Sequence, residues 1–175
     1  MEADQKLLSI QKLDRKLKSW RADLPDIFEI DGARGSSSIH PERMLTLHIV
    51  YHQAVCTLHS CIIPLFSLNP IAADLRGYFQ SSSAQTALFH GRQISDILLR
   101  LKLRNLSHQP MSVAFIGYAA YCSSAIQLPF LWCLNSCVRK SAQTNIKVNL
   151  EAMRSAGKQW KLVAALVRLE LSRVF

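Results

Sequence analysis

Acidic side chains are scarce in this 175-residue chain: 12 Asp and Glu stand against 21 Lys and Arg, for a formal net charge of +9. Seven of the 12 carboxylates fall within residues 1–31, and no pair of them lies near a histidine as general acid–base work would need. GxSxG, GxxxxGK[ST] and GxGxxG are all missing, so neither an activated serine nor a phosphate-cradling loop is written in the chain. These absences point away from an enzyme. Six Gly and six Pro are too few for collagen-like or low-complexity sequence, and 49% apolar residues exclude disorder along the whole length. Cysteines number five, at 56, 61, 122, 133 and 137, an odd count without a CxxC pair. MEADQKLLSIQKLDRKLKSWR carries charge throughout and has no apolar core of a signal peptide. Free thiols in a reducing compartment, acting as small buried apolar groups, follow from both facts.

Sustained period-two alternation is also missing, which excludes a convincing strand. What remains is helical periodicity. Leu7, Ile10, Leu13, Leu17 and Trp20 form an apolar stripe that ends at Asp23-Leu24-Pro25, because a residue before proline is pushed out of the helical region. Residues 32–41, GARGSSSIHP, read as a loop, and Pro41 with Glu42 suits the first turn of a second helix. From Met44 to Ile62 that helix is apolar on most faces, broken by His48, His52, Gln53 and His59, as befits the centre of a bundle. Residues 64–78 form the next loop, and a serine-capped amphipathic helix runs from Ser81 towards Asn105. Between Asn105 and Val138 no charged residue occurs; residues 145–175 are amphipathic again. The expected fold is all-α, an irregular array of about five to seven helices with a central uncharged helix, in one domain spanning residues 1–175 that reads as truncated.

Two chemical readings compete with plain packing. His48, His52 and Cys56 step by four along one helix face and are ligand types that zinc accepts, yet structural zinc sites draw on two elements, and HExxH is absent. Histidines satisfied within a helical core are the preferred reading, with no metal and no cofactor. Met111–Leu134 is long enough to span a bilayer, but Ser112, Ser123, Ser124, Gln127 and Pro129 make it only borderline apolar for a lone span. A small membrane-associated protein anchored by residues 111–134 is therefore the alternative to a buried core helix. Residues 139–175 hold eight basic and two acidic side chains, read as solvated helix faces in preference to a nucleic-acid surface. Large apolar groups at helical spacing place Trp20, Leu47, Tyr51, Leu58, Tyr118, Phe130 and Trp160 in the expected core.

Three stretches carry a resemblance. KSWRADLPD (Lys18 to Asp26) is similar to a W-x3-LP helix end, and LTLHIVYHQAVCTLHSCII (Leu45 to Ile63) to an LHLxYHxxxxxLHRP helix, with Ser60 and Cys61 in place of Arg-Pro. Ala84 through Trp160 resembles a small-residue helix ending in ISDIL, a GYAAYxxxxIQLPFLWC helix and a helix holding a methionine and a tryptophan. Together they resemble the regulatory domain, or middle homology region, of fungal zinc binuclear-cluster transcription factors. The resemblance implies an all-α, non-enzymatic module of nuclear proteins, otherwise an intracellular soluble one. It also implies regulation of transcription through protein partners, intramolecular contacts or an effector. The family's zinc sits in a six-cysteine module with a C-x2-C-x6-C pattern that this sequence never shows, so sequence-specific DNA binding is not implied for it.

Overall fold

The computed structural model describes residues 2–28, 41–60, 82–103 and 110–174. Among them lie six α-helices and no strand: α1 (Glu2–Ala22), α2 (Pro41–Ser60), α3 (Ser82–Leu103), α4 (Pro110–Gln127), α5 (Ser136–Gly157) and α6 (Lys161–Val174). The chain is all-α, as its periodicity indicates. The two expected loops, 32–41 and 64–78, lie outside the described residues except for Pro41, which opens α2. Helix α1 closes just ahead of Leu24-Pro25, where the Asp23 amide donates back to the Ser19 carbonyl at 2.9 Å.

Helix α4 is central: it packs against α2, α3, α5 and α6, whereas α1 packs mainly on α2. Leu45 and Ile49 of α2, Ile94 and Ile97 of α3, Ile126 of α4, Met153 of α5 and Val163 of α6 meet in one apolar core. The uncharged stretch is not one helix to Leu134. It tightens after Gln127 into a 3-10 turn, Leu128–Trp132, because Pro129 has no N–H to continue the ladder and its ring crowds the preceding turn. Asn135 then caps α5, its side-chain oxygen accepting from the amides of Cys137 at 3.0 Å and Val138 at 3.3 Å.

The C-terminal amphipathic stretch is likewise two helices. Helix α5 begins nine residues earlier than the stripe from 145 suggests, and the chain turns at Gly157–Trp160 before α6. A side chain at Gly157 would lie 3.2 Å from Ala164 Cα, so glycine lets α6 fold back closely. Gly117 is tighter still: a Cβ there would meet Val163 Cγ1 at 2.7 Å and Ala156 Cβ at 3.0 Å. Val163 is β-branched and stiff at χ1, so the α4–α6 contact has little room to give. Gly117→Ala is expected to destabilise, because overpacking of about 1–3 kcal/mol exceeds the roughly 1 kcal/mol of helix propensity gained. In Val163→Ala the cost should shrink, since only the Ala156 Cβ contact at 3.0 Å remains, and urea unfolding of the four proteins checks the difference.

Of the seven side chains expected in the core, Tyr51 and Phe130 are buried at 8% and 4% exposure. Leu47 and Leu58 are half-buried on the flank of α2. Trp20, Tyr118 and Trp160 are not core residues, at 42%, 47% and 44% exposure. Trp20 sits in the last turns of α1, which among the described residues packs mainly on α2, and it lays a ring face on Tyr51. Tyr118 occupies the uncovered edge of α4 and hydrogen-bonds with Cys122 one turn on. Trp160 sits in the turn between α5 and α6, where the chain reverses at the surface.

Candidate functional site

The histidines of α2 gather their partners from three other parts of the fold. His48 Nε2 donates to the Phe28 carbonyl at 2.7 Å, tying α2 to the short 3-10 turn Asp26–Phe28 that follows α1. His52 Nδ1 lies 2.8 Å from Nδ1 of His90 on α3, so one imidazole donates and the other accepts. His59 Nε2 donates to the Asp14 carboxylate of α1 at 3.4 Å, while its Nδ1 is 3.3 Å from the Ser83 hydroxyl at the start of α3. Around the His52–His90 bond stand aromatic rings: Tyr51 meets His52 at 5.2 Å and His90 at 5.7 Å edge-on, and Trp20 stacks on Tyr51 at 5.9 Å. Phe89 approaches His90 edge-on at 5.2 Å from the solvent side.

Burial sets the charge state. Removal from water, reinforced by His90, His48 and Arg21, brings His52 down to about 3. His90 falls to about 4, again chiefly through burial, with His59 adding to the fall and Asp14 opposing it. Both rings are neutral at pH 7, one Nδ1 carrying the proton of the shared hydrogen bond and the other accepting it. Burial works to raise Asp14, but hydrogen bonds from Lys18, at 2.6 Å, and from His59 outweigh it and hold the carboxyl below its ordinary range. Cys56 is pushed far up by burial, and its thiol donates to the Ala87 carbonyl at 3.7 Å.

The candidate ligands His48, His52 and Cys56 share a helix face but not a centre. Each is committed to a different partner, the Phe28 carbonyl, His90 and the Ala87 carbonyl in turn. Among the described residues no group of three His, Cys, Asp or Glu side chains is placed to hold a metal. Ser83, His59 and Asp14 present the residue types of a nucleophile relay. However, Ser83 is buried and its contact is longer than the roughly 2.6–3.2 Å of a working nucleophile–base pair. The arrangement is a polar strap across three helices.

A second polar cluster laces α3, α4 and α5. Ser123 donates to the Gly91 carbonyl at 2.8 Å and accepts from Gln127 Nε2 at 3.0 Å and Asn149 Nδ2 at 2.9 Å. Gln127 also donates to Ser95 at 3.1 Å, and its carbonyl accepts from Asn145 at 2.8 Å. Ser123, Gln127 and Asn149 are wholly buried. Gln127→Leu fills the space yet removes the partner of the half-buried Asn145 and one donor each to Ser95 and Ser123, which keep their other bonds, at a cost of about 1–3 kcal/mol. Gln127→Ala adds a cavity and should cost more. Equal chemical-denaturation midpoints for Gln127→Leu and the parent would mean that the lattice contributes nothing.

His90, Asp14, Ser83 and the serine–amide lattice are absent from a reading of the sequence by motif. One signal was available: Ser83, His90 and Ser95 interrupt the apolar stripe of α3 that runs through Ala84, Ala87, Gly91, Ile94 and Leu98. A polar residue on a buried stripe needs a partner from elsewhere. Comparison with family models, with characterised proteins and with solved structures gives no match for the chain.

Proposed function

We propose that this chain is a non-enzymatic regulatory module of the fungal transcription-factor type, acting in the nucleus through protein or effector contact. The observation that carries the reading is α2. The histidines of its LHIVYHQAVCTLH segment are spent on packing, bonding α1, the turn after it, and α3. That is the role the resemblance assigns to them, and it leaves function to surfaces and conformation instead of to chemistry at a metal. DNA targeting would come from a separate module, with zinc belonging to that module.

Tethering tests this directly. Fused to a heterologous DNA-binding module upstream of a reporter in fungal cells, the chain is expected to raise or lower transcription, and Tyr51→Ala to abolish the change. Unaltered output from a fusion present at normal abundance would overturn the proposal.

A membrane-anchored protein is the second reading, because Ala114–Trp132 is long and apolar enough to cross a bilayer. That segment is mostly buried by its neighbours, and Ser123 and Gln127 within it are bonded to α3 and α5. In a lone span these polar groups would face lipid without partners. Resistance to alkaline carbonate extraction would favour the anchored reading.

A further inference from the structure

From the outer face of α5 we infer a docking surface for the phosphate backbone of duplex nucleic acid, independent of base sequence. Lys140, Lys147, Arg154 and Lys158 are all exposed. At 3.6 residues per turn they fall within about 40° of one another, on a line about 27 Å long. Lys158 keeps helical backbone angles, φ −63° and ψ −29°, so the line runs unbroken past Gly157. The one acidic residue of α5, Glu151, lies on the same line, and Lys102 of α3 engages it at 2.5 Å. Its charge is thus offset from the side, and the line stays net positive.

The composition of this face selects the partner. One cysteine aside, the other exposed residues of α5 are serine, threonine and glutamine. A lipid surface would need apolar side chains to insert beside the cations. A protein partner would need aromatic or aliphatic anchors at the centre of its footprint. Neither is present. A polyanion needs neither, because released counterions alone supply the binding free energy. Duplex nucleic acid carries one charge per about 1.7 Å of axis, which keeps every cation on a line of this length within reach of a phosphate. The inference rests on charge and exposure alone and does not depend on the regulatory reading.

The test is fluorescence anisotropy of a labelled mixed-sequence DNA duplex titrated with the full chain over a salt series. Four phosphate contacts predict a slope of log K against log salt of about −3.6, or roughly a 150-fold loss of affinity between 50 and 200 mM. Lys147→Gln with Arg154→Gln should halve the slope to about −1.8, and Lys140→Gln with Lys158→Gln should do the same by an independent route. Lys12→Gln with Lys16→Gln removes the same charge from exposed positions of α1 and should leave the slope unchanged. An equal fall in slope for this α1 pair would reduce the effect to net charge and overturn the assignment. So would absence of duplex binding at 50 mM salt. Capture by phosphatidylserine vesicles without duplex binding would replace nucleic acid by a lipid surface.

Discussion

Acidification from pH 7 to pH 4 is expected to cost the folded chain about 3 kcal/mol through the buried His52–His90 pair, more than any single hydrogen bond contributes. Both imidazoles titrate near 6.5 when exposed, and in the fold they fall to about 3 and about 4. The folded state therefore binds fewer protons than the unfolded state between those limits, and stability falls as pH falls through that interval. Above 6.5 both states hold the rings neutral, and the contribution is fully present. One unit is worth about 1.4 kcal/mol, so the interval from 6.5 to 4 sets the order of magnitude of the loss. The rings share one hydrogen bond across 2.8 Å, so the loss belongs to the pair and does not divide cleanly between them.

The charges facing the pair fix the direction. Arg21 of α1 and His48 of α2 oppose protonation of His52, while His59 and Lys18 oppose, and Asp14 favours, protonation of His90. Asp14 is itself held below its ordinary 3.8, so its contribution is lost only at still lower pH. Urea unfolding at steps between pH 7 and pH 4 reads the effect. The double variant His52→Gln, His90→Gln should start less stable at pH 7 but show a flatter profile through the interval. A parent profile as flat as the variant's would mean that the rings are protonated in the fold, and the buried neutral pair would have to be given up.

Much of the fold is legible because proline and periodicity act locally. Pro25 and Pro41 bound the first two helices where a residue-by-residue reading puts them. Pro129 gives a weaker signal, since the uncharged run continues past it to Val138 and hides both the 3-10 turn and the cap at Asn135. The site is less legible for a different reason. His52 finds His90 across 38 residues of chain and His59 finds Asp14 across 45, and no local pattern records such pairings. Ser123 and Gln127 look like flaws in an apolar helix until α3 and α5 supply their partners. Trp20 and Trp160 show the converse limit: helical spacing marks a side chain as apolar, but whether a neighbouring helix covers it depends on topology.

Tyr51→Ala should destabilise by about 3–5 kcal/mol, the range for truncating a large buried aromatic. Domains of this kind are stable by about 5–15 kcal/mol in total, so the loss is a large share of what holds the chain folded. At 8% exposure Tyr51 leaves its cavity open to little water, and the lining rings of Trp20, His52 and His90 belong to three different helices. No single helix shift can close the gap around all three, which places the cost towards the upper end. Tyr51→Phe keeps the ring contacts and should stay within about 1 kcal/mol of the parent. Trp20→Ala removes only a half-exposed stacking partner and should cost about 0.5–1.5 kcal/mol. Thermal melts rank the three: at about 2–4 °C per kcal/mol for this chain length, Tyr51→Ala should fall by roughly 6–20 °C and the others by only a few degrees. Equal shifts for Tyr51→Ala and Trp20→Ala would mean that the Trp20 stack carries all that the tyrosine ring contributes. The edges of Tyr51 on His52 and His90 would then add nothing, and the cluster would reduce to a clasp between α1 and α2.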